Sequence, residues 1–401
     1  MRISALRSRL LYVVLAPSAA VAVVLPATTA PASAGGYVAI GGSGSSWASI
    51  ALDLWSQDVR AAGIVVNYNP DGSAAGRSDY ISAQDDFAAS DVPFRNGRDK
   101  LGGTPAEHSP WGYSYLPLVA GGIAFTYDLK VNGHQITNLR LSGKTLMEIF
   151  TGQITNWDSP QITHDYGTQL PNLPITPVIR SDGAGVSYYF TRWMAHVFPR
   201  QWNAFCDRVH PGITPPCGRT EFYPQFGRAQ AENGAANVVT YIASGVRNGA
   251  IGYDEYAYVL GARLPALNLQ NPAGDYVAPS SVPVTTALSQ AVINTNRASP
   301  NFLQENLNRL YTYKNPSSYP LSYYGYMIVP RAGTKLPPNF TNGKGRTLSA
   351  FLDFALCRGG QQHLAQFGYA PLPANLVKGG LQQVKNIPGH GPVPSLSRCL
   401  G

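Results

Sequence analysis

Charge is scarce in this chain: Asp, Glu, Lys and Arg make up 13% of its 401 residues. The formal net charge is +8, but no run of Lys and Arg resembles a nucleic-acid-binding arm. The basic excess therefore reads as a soluble surface with mild attraction for anions, and no nucleic-acid partner is expected. A Gly-Lys-Ser/Thr phosphate loop, a His-Glu-x-x-His motif and an Asp-rich calcium loop are all missing, so the sequence offers no motif for those nucleotide, zinc or calcium chemistries, and no cofactor or metal is expected. Gly (41) and Pro (32) together stay below the ~25–30% that marks low-complexity chains, while 44% hydrophobic residues are ample for a core.

Long apolar runs are equally few. One uncharged stretch, Leu10 to Leu25, follows Arg2, Arg7 and Arg9 and leads to Ala32-Ser33-Ala34. It is shorter than the ~20 residues a membrane-spanning helix needs, and its flanks predict a signal peptide over residues 1–34 with cleavage before Gly35. The mature protein is expected to be exported, extracellular or associated with the cell surface or wall. No lipid anchor is evident, since the cleavage site carries no cysteine. Loss of the three leader arginines lowers the formal charge from +8 to +5.

Only four cysteines occur, all in the exported part, where an even count points to disulfides. Proximity in sequence suggests Cys206 with Cys217 and Cys357 with Cys399. A zinc site from Cys206, His210 and Cys217 is the alternative, but the paired spacing of structural zinc motifs is missing.

What is present is an alternation of short apolar runs and amphipathic stretches, the pattern of an α/β protein. Strands are expected at 37–40, 64–68, 87–90, 116–127, 175–179, 250–253 and 323–329. Helices are expected after Ser46 and at 74–82, 146–150, 187–198, 255–260 and 350–367. Gly121 and Gly122 inside the long run suggest a buried strand that another backbone approaches closely. From Pro371 onward the chain is rich in Pro and Gly and without periodicity.

Three glycine-bearing turns, at Ser46, at Ser73 and at Gly183 to Ser187, hand a strand over to a helix. Unpaired N–H groups and the helix dipole favour an anion at such N-termini. Arg180 supplies a planar fork of donors suited to an oxyanion, and Asp182 is placed to hold it; a structural ion pair is the plainer reading of the two. Asp91 is either a turn cap or part of the same arrangement. Gly44-Ser45-Ser46-Trp47-Ala48 only approximates a nucleophile elbow, because Ala48 replaces the second glycine and no histidine or acid completes a triad. Tyr253, Tyr256 and Tyr258 could stack on sugars, but packing explains them as well.

Four ordered blocks carry a resemblance to the solute-binding proteins of high-affinity phosphate ABC importers. They are Gly42-Ser43-Gly44-Ser45-Ser46-Trp47, Val66-Asn67-Tyr68 through Gly72-Ser73, Asp86-Phe87-Ala88-Ala89-Ser90-Asp91-Val92-Pro93, and Ile179-Arg180-Ser181-Asp182-Gly183. Phe150-Thr151-Gly152-Gln153-Ile154-Thr155-Asn156-Trp157 and Gly249-Ala250-Ile251-Gly252-Tyr253 are also similar to family sequence.

The resemblance implies a two-lobed periplasmic-binding-protein fold, α/β and type II-like, with a hinge and an interlobe anion cleft, and no catalytic turnover. It implies lobe one at 35–117 and 320–370, lobe two at 118–319, and a tail at 371–401. Inorganic phosphate and the membrane subunits of an ABC importer are the implied partners of a monomer. Ser46, Trp47, Ser73, Asp91, Arg180, Asp182, Gly183, Ala184, Gly185 and Val186 are the implied ligand-binding residues.

At neutral pH phosphate keeps a proton that a buried carboxylate can accept and sulfate does not, so Asp91 is the expected selector. The fourth block departs from the family: where relatives usually continue Asp-Gly-Ser-Gly-Thr, this chain has Asp182-Gly183-Ala184-Gly185-Val186. Two hydroxyl donors, each worth ~1.5–3 kcal/mol to a charged ligand, are thereby lost, with Ser187 as a partial substitute. A phosphate-insensitive relative with another small ligand, or with a surface or scaffold role, is the alternative reading.

Overall fold

The three expected glycine-bearing turns all form in the computed structural model, which describes residues 36–299 and 301–401. The leader expected at 1–34 lies outside the described residues. Strand β1 (Ile40–Gly44) feeds helix α1 (Ser46–Val59), β2 (Val66–Asn69) feeds α2 (Ser73–Ile81), and β3 (Phe87–Ser90) ends at Asp91. The first strand runs through glycines expected in the turn, because β1 is hydrogen-bonded in parallel to β2 on one side and to β3 on the other.

The long apolar run forms β4 (Tyr113–Asp128), buried along nearly its whole length. Beyond it come α3 (Gly143–Phe150), β5 (Thr176–Arg180), α4 (Gly185–Val197) and α5 (Pro199–Val209). Next are β6 (Gln230–Glu232), α6 (Ala235–Ala243), β7 (Ala250–Glu255), α7 (Tyr256–Gly261) and β8 (Ser322–Pro330). The last elements used below are α8 (Asn342–Leu356), β9 (Tyr369–Ala370) and α9 (Ala374–Val384).

These strands make one nine-stranded sheet in the order β2-β1-β3-β8-β4-β7-β5-β6, with β9 also on β4. Strand β4 changes partner midway: Tyr113 to Gly122 pair antiparallel with β8, and Ile123 to Asp128 pair antiparallel with β7. The parallel set β1, β2 and β3 therefore stands on one side of the changeover and the parallel set β5, β6 and β7 on the other. Such parallel strands need coverage on both faces, which the intervening helices supply.

Gly121 and Gly122 sit at the changeover, but the close neighbours are side chains and not the expected backbone. A Cβ on Gly121 would lie 2.7 Å from the Trp47 ring, and one on Gly122 would lie 3.1 Å from the Tyr319 ring. Glycine there makes room for two large aromatics against the central strand.

Two expectations in the C-terminal region are corrected. The helix expected at 350–367 begins at Asn342, where the Thr341 hydroxyl caps it by accepting the Lys344 N–H at 3.3 Å, and it stops at Leu356 as Cys357 turns extended. The segment expected to lack periodicity contains α9, which buries Leu376, Val377, Leu381 and Val384 at helical spacing and belongs to the main hydrophobic core. Each such side chain contributes about 1.5–3 kcal/mol when fully buried. Both expected disulfides form, Cys206–Cys217 and Cys357–Cys399, the second tying the chain end to the terminus of α8.

Candidate functional site

Three helix N-termini converge on the Asp91 carboxyl. Ser45, the N-cap of α1, donates its hydroxyl to Asp91 Oδ1 at 2.6 Å. Ser73, the first residue of α2, donates to Asp91 Oδ2 at 3.2 Å and accepts the Asp91 N–H at 3.1 Å. Gly185 opens α4 with no side-chain cap, and a Cβ there would lie 2.2 Å from Asp91 Oδ2. Only glycine lets the α4 N-terminus come this close. Asp91 is 2% exposed; its burial, with the charge of Glu255 adding to it, pushes the carboxyl up to about 7 against the opposing pull of Ser45, Ser73 and Arg180.

Arg180 ends β5 and is equally buried. Its Nε and Nη2 donate to the two oxygens of Asp182, at 2.8 and 2.5 Å, and Nη2 also donates to Ser46 Oγ at 3.0 Å. Asp182 is fixed in turn by the Gly234 N–H at 2.9 Å. Burial would raise the Asp182 carboxyl, but Arg180 outweighs that and holds it below the ordinary value. Burial likewise opposes the Arg180 charge, and Asp182 and Glu255 overcome it.

The third nitrogen, Arg180 Nη1, stands 3.5 Å from Glu255 Oε1 and has no hydrogen-bond partner among the described residues. Trp47 Nε1 and the Tyr323 hydroxyl are also buried donors without one, and Glu255 Oε2 and Asp254 Oδ2 are buried oxygens without one. Buried polar groups are rarely left so, since each costs about 1–3 kcal/mol. Asp254, buried beside Glu255, has its carboxyl pushed well up by desolvation first and by that neighbour second. The arrangement suits a small oxyanion that still carries a proton: a guanidinium and helix N-termini to give hydrogen bonds, and a carboxylate to take one.

Of the expected residues, Ser46, Trp47, Ser73, Asp91, Arg180, Asp182 and Gly185 come together here. The rest of the fourth turn faces elsewhere in part. Gly183 accepts the Ala74 N–H at 3.1 Å, and Ala184 gives its N–H to the Glu221 carbonyl at 3.0 Å. Val186 is fully buried, and Ser187 pairs with the Tyr253 hydroxyl at 2.8 Å, one residue removed from the centre. Tyr253 also accepts the Arg180 N–H at 3.2 Å and Tyr258 donates to the Ser46 carbonyl at 2.8 Å, so both tyrosines brace the site from behind.

Ser45, Asp254, Glu255 and Arg77 are contributors that the sequence reading missed. Ser45 had a signal, a hydroxyl one residue before a helix, and so had the paired acids directly after Gly252-Tyr253. Arg77 had none. It lies inside α2, fully buried, and its guanidinium reaches Glu221 at 2.7 Å, Glu107 at 2.9 Å and Ser90 Oγ at 2.9 Å. Arg95 joins the same two carboxylates at 2.8 and 3.0 Å.

Known proteins resemble this chain over most of its length. Residues 27–358 match the PBP superfamily domain. The phosphate-binding protein PstS 2 of Mycobacterium tuberculosis is 30% identical over 315 residues, covering 78% of this chain and 76% of the relative. The phosphate-binding protein PstS of Xylella fastidiosa (strain Temecula1) is 28% identical over 344 residues, covering 85% and 83%. Among solved structures, the high-affinity periplasmic phosphate-binding protein PfluDING bound with phosphate superposes with a TM-score of 0.61 at 18% identity, over 85% of this chain and 92% of that one. The fold shared is the two-lobed one.

Proposed function

Because the chain belongs to the PBP superfamily, among the phosphate-binding proteins of the PstS type, we propose that it binds inorganic phosphate outside the cytoplasm and delivers it to an ABC importer. One observation carries this reading: a fully buried guanidinium, Arg180, hydrogen-bonded on two nitrogens and, among the described residues, without a hydrogen bond on the third, which faces Glu255 at 3.5 Å, beside a buried carboxyl at which three helix N-termini meet.

In this reading Arg180, Ser46 and the amides at the start of α4 give hydrogen bonds to the ion, Ser73 joins them by turning its hydroxyl from Asp91, and Trp47 contributes backbone from the start of α1. Asp182 orients Arg180, and Asp91 accepts a hydrogen bond from the proton that phosphate keeps at neutral pH. Sulfate brings no such proton and meets a carboxylate instead, which costs it affinity. The lobes divide near the β4 and β8 crossings, lobe one running from 35 to about Gly122, where β4 changes partner, and again from about 320, with lobe two between them. Residues beyond 370 extend lobe one, since α9 packs on its core.

The reading is one of binding without turnover: the Ser45 hydroxyl is held in a hydrogen bond to Asp91 Oδ1 and Ser46 Oγ accepts one from Arg180 Nη2. No helix among the described residues is long and apolar enough to cross a membrane, and an exported protein held at the surface by its transporter fits the leader expected at 1–34.

Calorimetric titration of Gly35–Gly401, freed of ligand by unfolding and refolding, tests the proposal. The expected result is heat with phosphate and none with sulfate, and a smaller preference between the two in Asp91→Asn. A folded protein silent towards phosphate would overturn the ligand, and an unchanged preference in Asp91→Asn would overturn the role of that residue.

A further inference from the structure

A cavity of about 650 Å3 opens beside the candidate site and is separate from it. The Tyr189 ring stands in its wall, and the Tyr189 hydroxyl donates to the Asp91 carbonyl at 2.9 Å. One side is the segment after β3, Pro93 to Lys100. The other comprises the middle of α4, the loop at 216–221 and residues 301–308.

Its charge is lopsided. Arg95, Arg98, Lys100, Arg192 and Arg219 line it, against the carboxyls of Asp99, Glu221 and Glu305. Two of those acids are already committed. Asp99 accepts the Leu101 and Gly102 N–H groups and the Thr220 hydroxyl, and Glu221 is paired with Arg77 and Arg95. The third, Glu305, has both oxygens buried without a hydrogen-bond partner among the described residues, and burial pushes its carboxyl up to about 8 against the opposing charge of Arg192, which disfavours its negative charge near neutrality.

Among the described residues, Arg98, Lys100, Arg192 and Arg219 have no carboxylate within 4.0 Å. The guanidiniums of Arg219 and Arg192 lie over the rings of Tyr188 and Tyr189, at 5.1 and 6.0 Å, which orders them without neutralising them.

The volume is that of a site for a molecule of many atoms, roughly 300–1,000 Å3, and is far larger than one tetrahedral oxyanion needs. Guanidiniums present planar forks that match phosphoryl oxygens two at a time. We propose that this cavity is a second binding site, for a small polyanion built of linked phosphoryl groups, which Arg98, Arg192, Arg219 and Lys100 hold by charge-assisted hydrogen bonds. The proposal does not rest on the ligand assigned to the Arg180 site.

Titration with inorganic tripolyphosphate, in the presence of saturating orthophosphate, reads it directly. Tripolyphosphate is expected to bind, to bind more weakly as salt is added, and to be weakened at least about tenfold in Arg98→Glu/Arg219→Glu, a loss of about 1.4 kcal/mol. Orthophosphate titration of the same double variant is expected to be unchanged, which also shows that it is folded. Arg180→Ala is expected to lose orthophosphate and keep tripolyphosphate, so failure of one site is told apart from failure of the other. Three results would each overturn the inference: no tripolyphosphate binding to the folded wild type, displacement of tripolyphosphate by orthophosphate, or citrate binding as tightly as tripolyphosphate.

Discussion

Asp91 sets a measurable dependence of stability on pH in the ligand-free protein. An aspartate ordinarily titrates near 3.8, and burial, reinforced by Glu255, lifts this one to about 7. Between those values the folded chain holds a proton that the unfolded chain has released, so stability falls as pH rises from about 4 to about 7 and stays low above that. A rise of that size corresponds to about 4 kcal/mol. Over the unfolding entropy of roughly 370 residues, about 0.8 kcal/mol per degree, it lowers Tm by about 5 °C.

Asp91→Asn removes the titration while keeping an oxygen to accept from Ser45 and an amide to donate to Ser73. Any geometric cost of the substitution is the same at every pH. Tm should be followed by calorimetry for both proteins, freed of ligand, from pH 4 to pH 8 in buffers without phosphate or sulfate. Asp254 and Glu305 are raised in both proteins and largely cancel in the difference. The variant is expected to gain about 5 °C on the wild type across that range. Parallel curves would refute the account of Asp91 as a buried carboxyl whose ionisation opposes folding.

Arg77→Met should cost about 1.5–3 kcal/mol, seen as a lower urea midpoint, because it removes the fully buried partner of Glu221 and Glu107 and leaves them to the partly exposed Arg95; a loss under about 1 kcal/mol would mean that Arg95 alone satisfies both carboxylates. Replacing Cys357 and Cys399 together by Ser opens a loop of 42 residues' separation and should cost about 4 kcal/mol, read by calorimetry as a Tm lower by about 5 °C. Ala184→Ser should tighten phosphate binding about tenfold or more, by ~1.5–3 kcal/mol for a restored hydroxyl; unchanged affinity by titration would mean the turn does not aim that side chain at the ion.

How much of this was legible in the sequence divides along a physical line. Where a strand hands over to a helix through glycine and serine, as at Gly44-Ser45-Ser46 or Gly72-Ser73, local chemistry alone fixes the turn, and the boundaries fell within one to four residues of expectation. The helix α8 start was missed because Asn342-Gly343-Lys344-Gly345 reads as a loop by propensity, and tertiary packing overrides propensity there. The α9 helix was hidden in the same way by the glycines at 379 and 380 between its apolar positions. Within the site, residues in recurring blocks were found, whereas Arg77 and Glu221 are 144 positions apart and only the fold joins them.

That long-range pair bears on the two missing hydroxyls. Glu221 holds Arg77 and Arg95 through its carboxylate, takes the Ala184 N–H through its carbonyl, and gives its own N–H to Asp99 at 3.3 Å. A residue from the segment before β6 thus clamps the α4 turn to α2 and to the segment after β3, on opposite sides of the β4 changeover. The Ala74 N–H to Gly183 carbonyl bond and the Arg180 to Ser46 bond cross the same gap. A turn anchored this way through its backbone and through buried ion pairs does not depend on side-chain hydroxyls at 184 and 186 for its position. In the proposed reading those hydroxyls would add bonds to the ion, so their loss costs affinity and not architecture. The same clamp opposes opening, since separating α2 from Glu221 exposes two buried charges. In this chain, closure is held in good part by protein contacts, so the energy left for the anion to contribute to closing is correspondingly smaller.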